Sequence, residues 1–200
     1  MLIAIKKMKN KNSILSNIYK DISLTQEELK FVATKFEQIT LEKGETLFRE
    51  GDIVYYQYYV DDGCLRSYLI DNFGKEHTLQ FAVKDWWISD YTAFFSTTKA
   101  IMSIECIQKS TVLRVSRKSM EQLYEEVPKI AAFNRIKLER AYANLQKRVL
   151  KNLSQTAKDR YISFIKAYPK IEKIVKNYHI ASYLGIATES LSRIRKELTQ

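Results

Sequence analysis

The stretch NYHIASYLGIATESLSRIRKEL, residues 177–198, restricts the fold of this chain more than any other. Two short amphipathic patterns meet at Gly185, a residue that takes a left-handed backbone at no steric cost. Helices that cross steeply at such a turn touch closely and need a small residue inside the first of them, and Ala181 stands there. Their inner faces must be apolar, and Ile180, Leu184, Ile186, Leu191 and Ile194 fall on those positions. The spacing predicts a helix-turn-helix whose second helix covers 188–198.

Residues at i, i+1, i+4, i+5 and i+8 share one side of a helix, so Thr188, Glu189, Ser192, Arg193 and Lys196 form its outer face. In a major groove Arg193 can donate two hydrogen bonds to O6 and N7 of guanine, and Glu189 can accept from N4 of cytosine. Thr188 and Ser192 can bond to phosphate or base, and Ser190 joins them as a candidate DNA-binding residue. Arg195 and Lys196, near the helix end, are expected at phosphates, which position without specifying sequence. Ala187 sits where a side-chain cap would be expected, so Thr188 is available either as the cap or to the groove.

Charge supports a polyanionic partner. Residues 1–127 carry 17 Lys/Arg against 18 Asp/Glu, and residues 128–200 carry 16 against 5, so the net +10 arises wholly in the last third. Such a confined excess fits double-stranded DNA, or simply a solvated lysine-rich surface. The stretch 129–153 contains neither Gly nor Pro, and Leu138, Tyr142, Leu145 and Val149 repeat at alternating spacings of four and three. This is a two-heptad seam suited to a homodimer, or to packing on the preceding domain.

Upstream, four of the five glycines (Gly44, Gly51, Gly63, Gly74) punctuate 39–116 at turn-like spacing. Short segments such as YYQYYV, HTLQFAV and TVLRVS run between them, which predicts an antiparallel sandwich or barrel. The Tyr55/Tyr56 and Tyr58/Tyr59 pairs, with Trp86 and Trp87, fill strands or line a ligand pocket. Thr25 and Glu28 form a capping box before a helix over 25–38, with Leu24 and Leu29 placed as a hydrophobic staple. A helix is predicted after Ser119. Ser154 is expected to cap a later one whose apolar face holds Ala157, Tyr161, Phe164, Ile165 and Tyr168 and which Pro169 ends; 170–176 has no clear pattern.

Several classes find no support. The apolar run MLIAI is too short for a signal-peptide core, no stretch approaches the roughly 18 apolar residues of a membrane span, and a cytoplasmic protein without a membrane partner is expected. Cys64 and Cys106 are lone thiols, read as buried and reduced. No nucleophile triad, metal cluster or phosphate loop is present and His77 and His179 stand apart, so no enzyme, metal or cofactor is expected.

Over nearly its whole length the chain resembles the Crp/Fnr family of bacterial transcription regulators. KGETLFREGD, YYVDDGCLRSYL and VLRVSRKSMEQL resemble its cyclic-nucleotide-binding-type β-roll, and IASYLGIATESLSRIRKEL its helix-turn-helix. The resemblance implies an α+β fold in three parts: a β-roll with flanking helices over 1–127, a dimerisation helix over 128–153, and a DNA-binding domain over 154–200. It implies that Glu189 and Arg193 read bases, with Thr188 replacing a frequent arginine, and that the roll is a sensor or scaffold. RNA polymerase and a small effector are the further partners it suggests. Cyclic-nucleotide binders of this fold carry Gly-Glu and later Arg-Ser, where this chain has Ser89-Asp90 and Ala100-Ile101. Asp90 can still hold a hydroxyl, but Lys99 is a poor substitute for an arginine that grips a cyclic phosphate in a paired contact, so a response to cyclic AMP is not expected. Many relatives add a β-hairpin wing; without one, phosphate contacts must come from Lys and Arg around 147–176, or DNA affinity is lower. The alternative is a small-molecule-binding module whose basic helical tail meets a protein partner.

Overall fold

The computed structural model describes residues 11–199, so the MLIAI run lies outside the described residues. A helix over residues 11–18 (α1) buries Ile14, Leu15 and Ile18. α2 (Gln26–Lys35) starts at the predicted capping box: Thr25 Oγ1 accepts from the Glu28 N–H at 3.1 Å, and Glu28 Oε2 accepts from the Thr25 N–H at 2.6 Å. α2 stops three residues before the predicted end. Phe36 opens strand β1 (Phe36–Leu41), which pairs with β6 from Phe36↔Val115 onward, and a ladder with long-range partners outweighs weak helical periodicity.

The expected antiparallel roll is present. Its remaining strands are β2 (Thr46–Phe48), β3 (Tyr56–Ile70), β4 (Glu76–Val83), β5 (Trp86–Ile88) and β6 (Ser103–Ser116). The sheet order is β1-β6-β3-β4, with β2 on β6 and β5 on β3. β3 and β6 are long, and three register shifts between Val60 and Leu65 bend them, which lets one sheet curl around its own apolar face. Gly63 sits at this bend with φ +97°, where a Cβ would lie 2.2 Å from Ser110 Oγ and 2.6 Å from the Lys109 carbonyl. Tyr58 and Tyr59 are buried and Tyr55 is exposed, so the aromatic pairs mostly fill the core.

α3 (Tyr91–Ser96) interrupts the strands and was not foreseen. α4 (Arg117–Glu126) is capped by Ser116, whose Oγ accepts from the Ser119 N–H, and Pro128 begins the 27-residue α5 (Pro128–Ser154). Ser154 is not the next cap, since it remains in α5 and donates to the Leu150 carbonyl; Thr156 caps α6 (Ala157–Ala167) instead. The unpatterned stretch holds a 3-10 turn at Ile171–Lys173 that buries Ile171, with Val175 buried after it. α7 (Asn177–Leu184) and α8 (Thr188–Thr199) complete the chain.

Three apolar clusters form the interior. One lies under α1, α2 and α4 and one inside the roll. The third joins Phe81, Cys64 and Ile107 of the roll to Tyr161, Phe164, Ile180 and Leu191 of the C-terminal helices. The C-terminal helices thus share a core with the sheet. Cys64 and Cys106 are both free and buried. No helix among the described residues is long and apolar enough to cross a membrane.

Candidate nucleic-acid interface

The turn between α7 and α8 follows the sequence closely. Gly185 ends α7 with φ 66° and ψ 36°, and the Ile186 N–H reaches back to the Ala181 carbonyl at 3.0 Å. Ile180, Ala181, Leu184, Leu191 and Ile194 are buried and Ile186 is half-buried, so the two helices form a wedge. Because one face of α8 is anchored this way, its opposite face is fixed: Glu189, Ser192, Arg193 and Lys196 are exposed, while Thr188 and Ser190 are half-buried. Thr188 is the first helical residue, and the Ala187 carbonyl accepts from the Leu191 N–H, so Ala187 takes the cap position. The Ser192 hydroxyl bonds back to the Thr188 carbonyl at 3.1 Å.

Arg195 departs from the expectation that it meets phosphates. Its guanidinium turns toward the domain, with Nε on the Tyr161 hydroxyl at 3.1 Å, Nη1 on Asn177 Oδ1 at 2.5 Å and Nη2 on Glu172 Oε1 at 2.7 Å. Tyr161 itself donates to Glu172, and burial with that hydrogen bond pushes its hydroxyl pKa up. Arg195 thus ties α8 to α6, the 3-10 turn and the start of α7. Two of the cations expected to flank the helix are similarly engaged. Arg160 donates to the carbonyls of Gln155 (3.0 Å) and Leu184 (3.2 Å), and Arg148 donates to the Leu79 carbonyl and lies over the Tyr183 ring. Lys147, Lys151, Lys166, Lys170, Lys173 and Lys176 remain exposed around the wedge.

The wedge is seated on the edge of β4. Ser182 Oγ donates to the Glu76 carbonyl at 2.7 Å and accepts from the Thr78 N–H at 2.8 Å, and the Tyr168 hydroxyl donates to the Phe81 carbonyl at 3.3 Å. The Phe81 ring meets Phe164, Tyr168 and Tyr183 at centroid distances of 6.1, 6.3 and 5.5 Å. Sequence reasoning gave no hint of this seat, because hydroxyl contacts to a distant strand leave no periodic trace.

Three of the four residues matched to the effector pocket are buried, and Ser89 and Asp90 are taken up by bonds within the fold. Asp90 is fully buried and both its oxygens are taken: Oδ1 accepts from the Ala93 N–H at 3.0 Å and caps α3, and Oδ2 accepts from the Ile101 N–H at 2.7 Å. Ser89 is buried and donates to the Tyr56 carbonyl, Ala100 is buried, and the Ile101 side chain lies at the surface. Ser89, Asp90, Ala100 and Ile101 are a staple that closes the α3 segment, which corrects the expectation that Asp90 is ready to hold a hydroxyl. Also unforeseen is Arg66, buried in β3 between Glu76 (2.7 Å) and Glu105 (2.5 Å) and stacked 4.1 Å from the Tyr68 ring centroid. His179 is buried, and desolvation together with the Arg66 charge lowers its pKa to about 4; His77 pairs with Asp71 at 2.7 Å. No group of three or more metal-ligating side chains occurs among the described residues.

On α5, only Ile130 and Phe133 are buried. Leu138, Tyr142, Leu145 and Val149 all face solvent, and the exposed row continues through Leu150 to Leu153, which is 81% exposed.

Comparison with known proteins agrees with this architecture. Residues 38–127 match the cyclic nucleotide-binding domain family. Over 165 residues the chain is 22% identical to the transcriptional activator protein Anr of Pseudomonas aeruginosa, covering 77% of this chain and 67% of that one. It superposes on FixK2 from Bradyrhizobium japonicum with a TM-score of 0.71 at 19% identity, covering 82% of this chain and 84% of that one. The c-di-GMP-responsive global regulator CLP from Xanthomonas campestris gives 0.69 at 14% identity, over 88% and 92%.

Proposed function

We propose that this chain, which carries a roll matching the cyclic nucleotide-binding domain family and is similar to the activator Anr, is a dimeric, sequence-specific DNA-binding transcription regulator of the Crp/Fnr type. The observation that carries the reading is the exposed row Glu189, Ser192, Arg193 and Lys196 on a helix whose reverse face is locked by Leu191 and Ile194. A rigid helix that presents one acidic acceptor and one arginine fork to a groove suits direct readout of a C·G-containing step. Arg193 and Glu189 specify, Ser192 and Lys196 assist, and the exposed lysines of α5 and α6 steer the phosphate backbone. Arg195 has no groove role here; it holds α8 at its angle.

A single recognition helix binds weakly, and two-fold dimers read half-sites about one DNA turn apart. The uncovered row from Leu138 to Leu153 supports pairing of α5 with a second copy. A run of 27 residues at about 1.5 Å each is about 40 Å long, enough to carry both wedges to one side of a dimer. The roll acts as a scaffold or as a sensor for a ligand other than cyclic AMP. Asp90 is consumed by backbone N–H groups, and no arginine follows it in the 99–101 stretch. Selection of bound sequences from random duplex DNA at physiological salt tests the proposal. A two-fold symmetric enriched site is expected, and recovery of unenriched DNA overturns it. A tail made for a protein partner would instead bind that partner with an affinity that need not fall steeply with salt, against the steep fall that phosphate contacts produce.

A further inference from the structure

Arg66 is costly to bury and lies outside the DNA-binding helices. It is 1% exposed within β3, and a guanidinium taken out of water needs close partners to offset the lost hydration. Its Nε and Nη2 reach Glu105 Oε1 on β6 at 2.8 and 2.5 Å. Its Nη1 pairs with Glu76 Oε2 at 2.7 Å and donates to Thr78 Oγ1 at 3.2 Å. These last two partners are the β4 residues whose main chain holds Ser182 of α7, through the Glu76 carbonyl and the Thr78 N–H. We propose that Arg66 is a positioning residue for DNA recognition: it grips by their side chains the two residues that seat the wedge by their backbone, and so sets the distance between the half-sites that a dimer reads. The inference rests on the DNA-binding reading above.

The local structure of β4 explains why such a grip is needed. β4 ends the sheet order, so no strand braces its outer side. Its pairing with β3 slips by one residue between Ser67↔Gln80 and Tyr68↔Thr78, which leaves Leu79 as a bulge. Arg148 of α5 donates to the Leu79 carbonyl and lies over the Tyr183 ring of α7. The Glu76–Leu79 stretch therefore meets the long helix and the wedge together. A bulged edge strand twists and shifts easily unless it is tied down, and Arg66 ties it, reaching Glu76 and Thr78 on one side and Glu105 of β6 on the other. Buried His179 of α7 lies 4.0 Å from the Glu76 carboxylate, so the wedge rests directly on this cluster.

Base choice and site spacing are separable in this arrangement. Glu189 and Arg193 sit on α8 and meet the same bases wherever the wedge stands. The separation of two wedges in a dimer follows instead from how each is held against its own roll and α5. One base pair added between half-sites turns one of them by about a tenth of a turn. A firmly seated wedge cannot follow that turn. A loosened one swings at the Gln155–Thr156 joint between α5 and α6.

The test compares the full-length parent with Arg66→Met and with the double substitution Glu76→Met and Thr78→Val. The double variant keeps the Arg66–Glu105 pair and detaches Arg66 from β4, so it carries the test if Arg66→Met does not fold. Each protein binds the site that the parent selects from random duplex DNA, and the same site with one base pair inserted between the half-sites. The parent should lose at least about tenfold in affinity on the insertion and the variants less than about threefold, with half-site bases unchanged. In the DNA-free variants the Thr78 amide should exchange with solvent about tenfold faster. A parent that selects no two-fold site overturns the DNA reading and this proposal with it. A parent with a sharply spaced site, beside variants that lose as much on the insertion or keep the parent's Thr78 exchange rate, overturns this proposal alone.

Discussion

Removing the Ser182 hydroxyl should loosen the seat of the recognition wedge more than any other single-atom change in α7. Ser182 Oγ serves β4 twice, at 2.7 Å to the Glu76 carbonyl and 2.8 Å from the Thr78 N–H. β4 lies at the end of the sheet order and this is its open side, so no other strand replaces those bonds in Ser182→Ala. Each net hydrogen bond is worth about 0.5–1.5 kcal/mol, and a group left unsatisfied in a buried place costs about 1–3 kcal/mol. Ser182 is half-buried and water can reach part of the gap, so the pair should cost about 2 kcal/mol, near the middle of that range. Urea unfolding of Ser182→Ala should show that loss. The Thr78 amide should exchange with solvent about 30-fold faster, since about 1.4 kcal/mol is a factor of ten. Ser192→Ala is the control: that hydroxyl bonds only to the Thr188 carbonyl on the exposed face, so the change should stay below about 0.5 kcal/mol. A Ser182→Ala protein within 0.5 kcal/mol of the parent, with Thr78 exchange unchanged, would refute the reasoning.

Other outcomes follow from named contacts. Asp90→Ala strands two N–H donors in a fully buried place and should lower stability by about 2–4 kcal/mol, measured by thermal unfolding; a loss below 1 kcal/mol would return Asp90 to the list of possible ligand contacts. Leu145→Asp puts a charge into the α5 row and should convert a dimer to monomer by sedimentation without lowering thermal stability of the protomer, since Leu145 is exposed there. His179 has a folded pKa of about 4 against an ordinary 6.5, so the unfolded chain takes up its proton first as pH falls. Its contribution is present above pH 6.5 and is lost between 6.5 and 4, by about 2 kcal/mol at most after allowance for relaxation. His179→Gln should flatten that part of the stability–pH curve, and an unchanged slope would count against a buried neutral imidazole.

The parts of the fold legible in the sequence are those encoded within a few residues. Thr25 with Glu28, Ala181 with Gly185, and the Gly- and Pro-free helical stretch of α5 are local rules, and the fold follows them. Asp90 was half legible. The family pattern offers it as a ligand contact, while its own surroundings, an acidic residue just before YTAFF, carry an N-cap signal that accounts for α3. Arg195 was misplaced because helical spacing gives its angle around α8 but not the presence of Tyr161, Glu172 and Asn177 on the neighbouring elements. Arg66 and the Ser182 seat are out of reach for the same reason: both depend on polar partners ten or more residues away, up to 106 residues for Ser182 and Glu76.

The most direct test of base reading by α8 is the affinity of parent and Arg193→Ala proteins for a selected two-fold site and for a scrambled duplex, at the same salt. Loss of one bidentate guanine contact should cost about 1–3 kcal/mol on the selected site and relax a single base position in each half. Binding to the scrambled duplex should change far less. Equal losses on both duplexes would mean that Arg193 meets only the phosphate backbone, and recognition would then have to come from elsewhere in the protein.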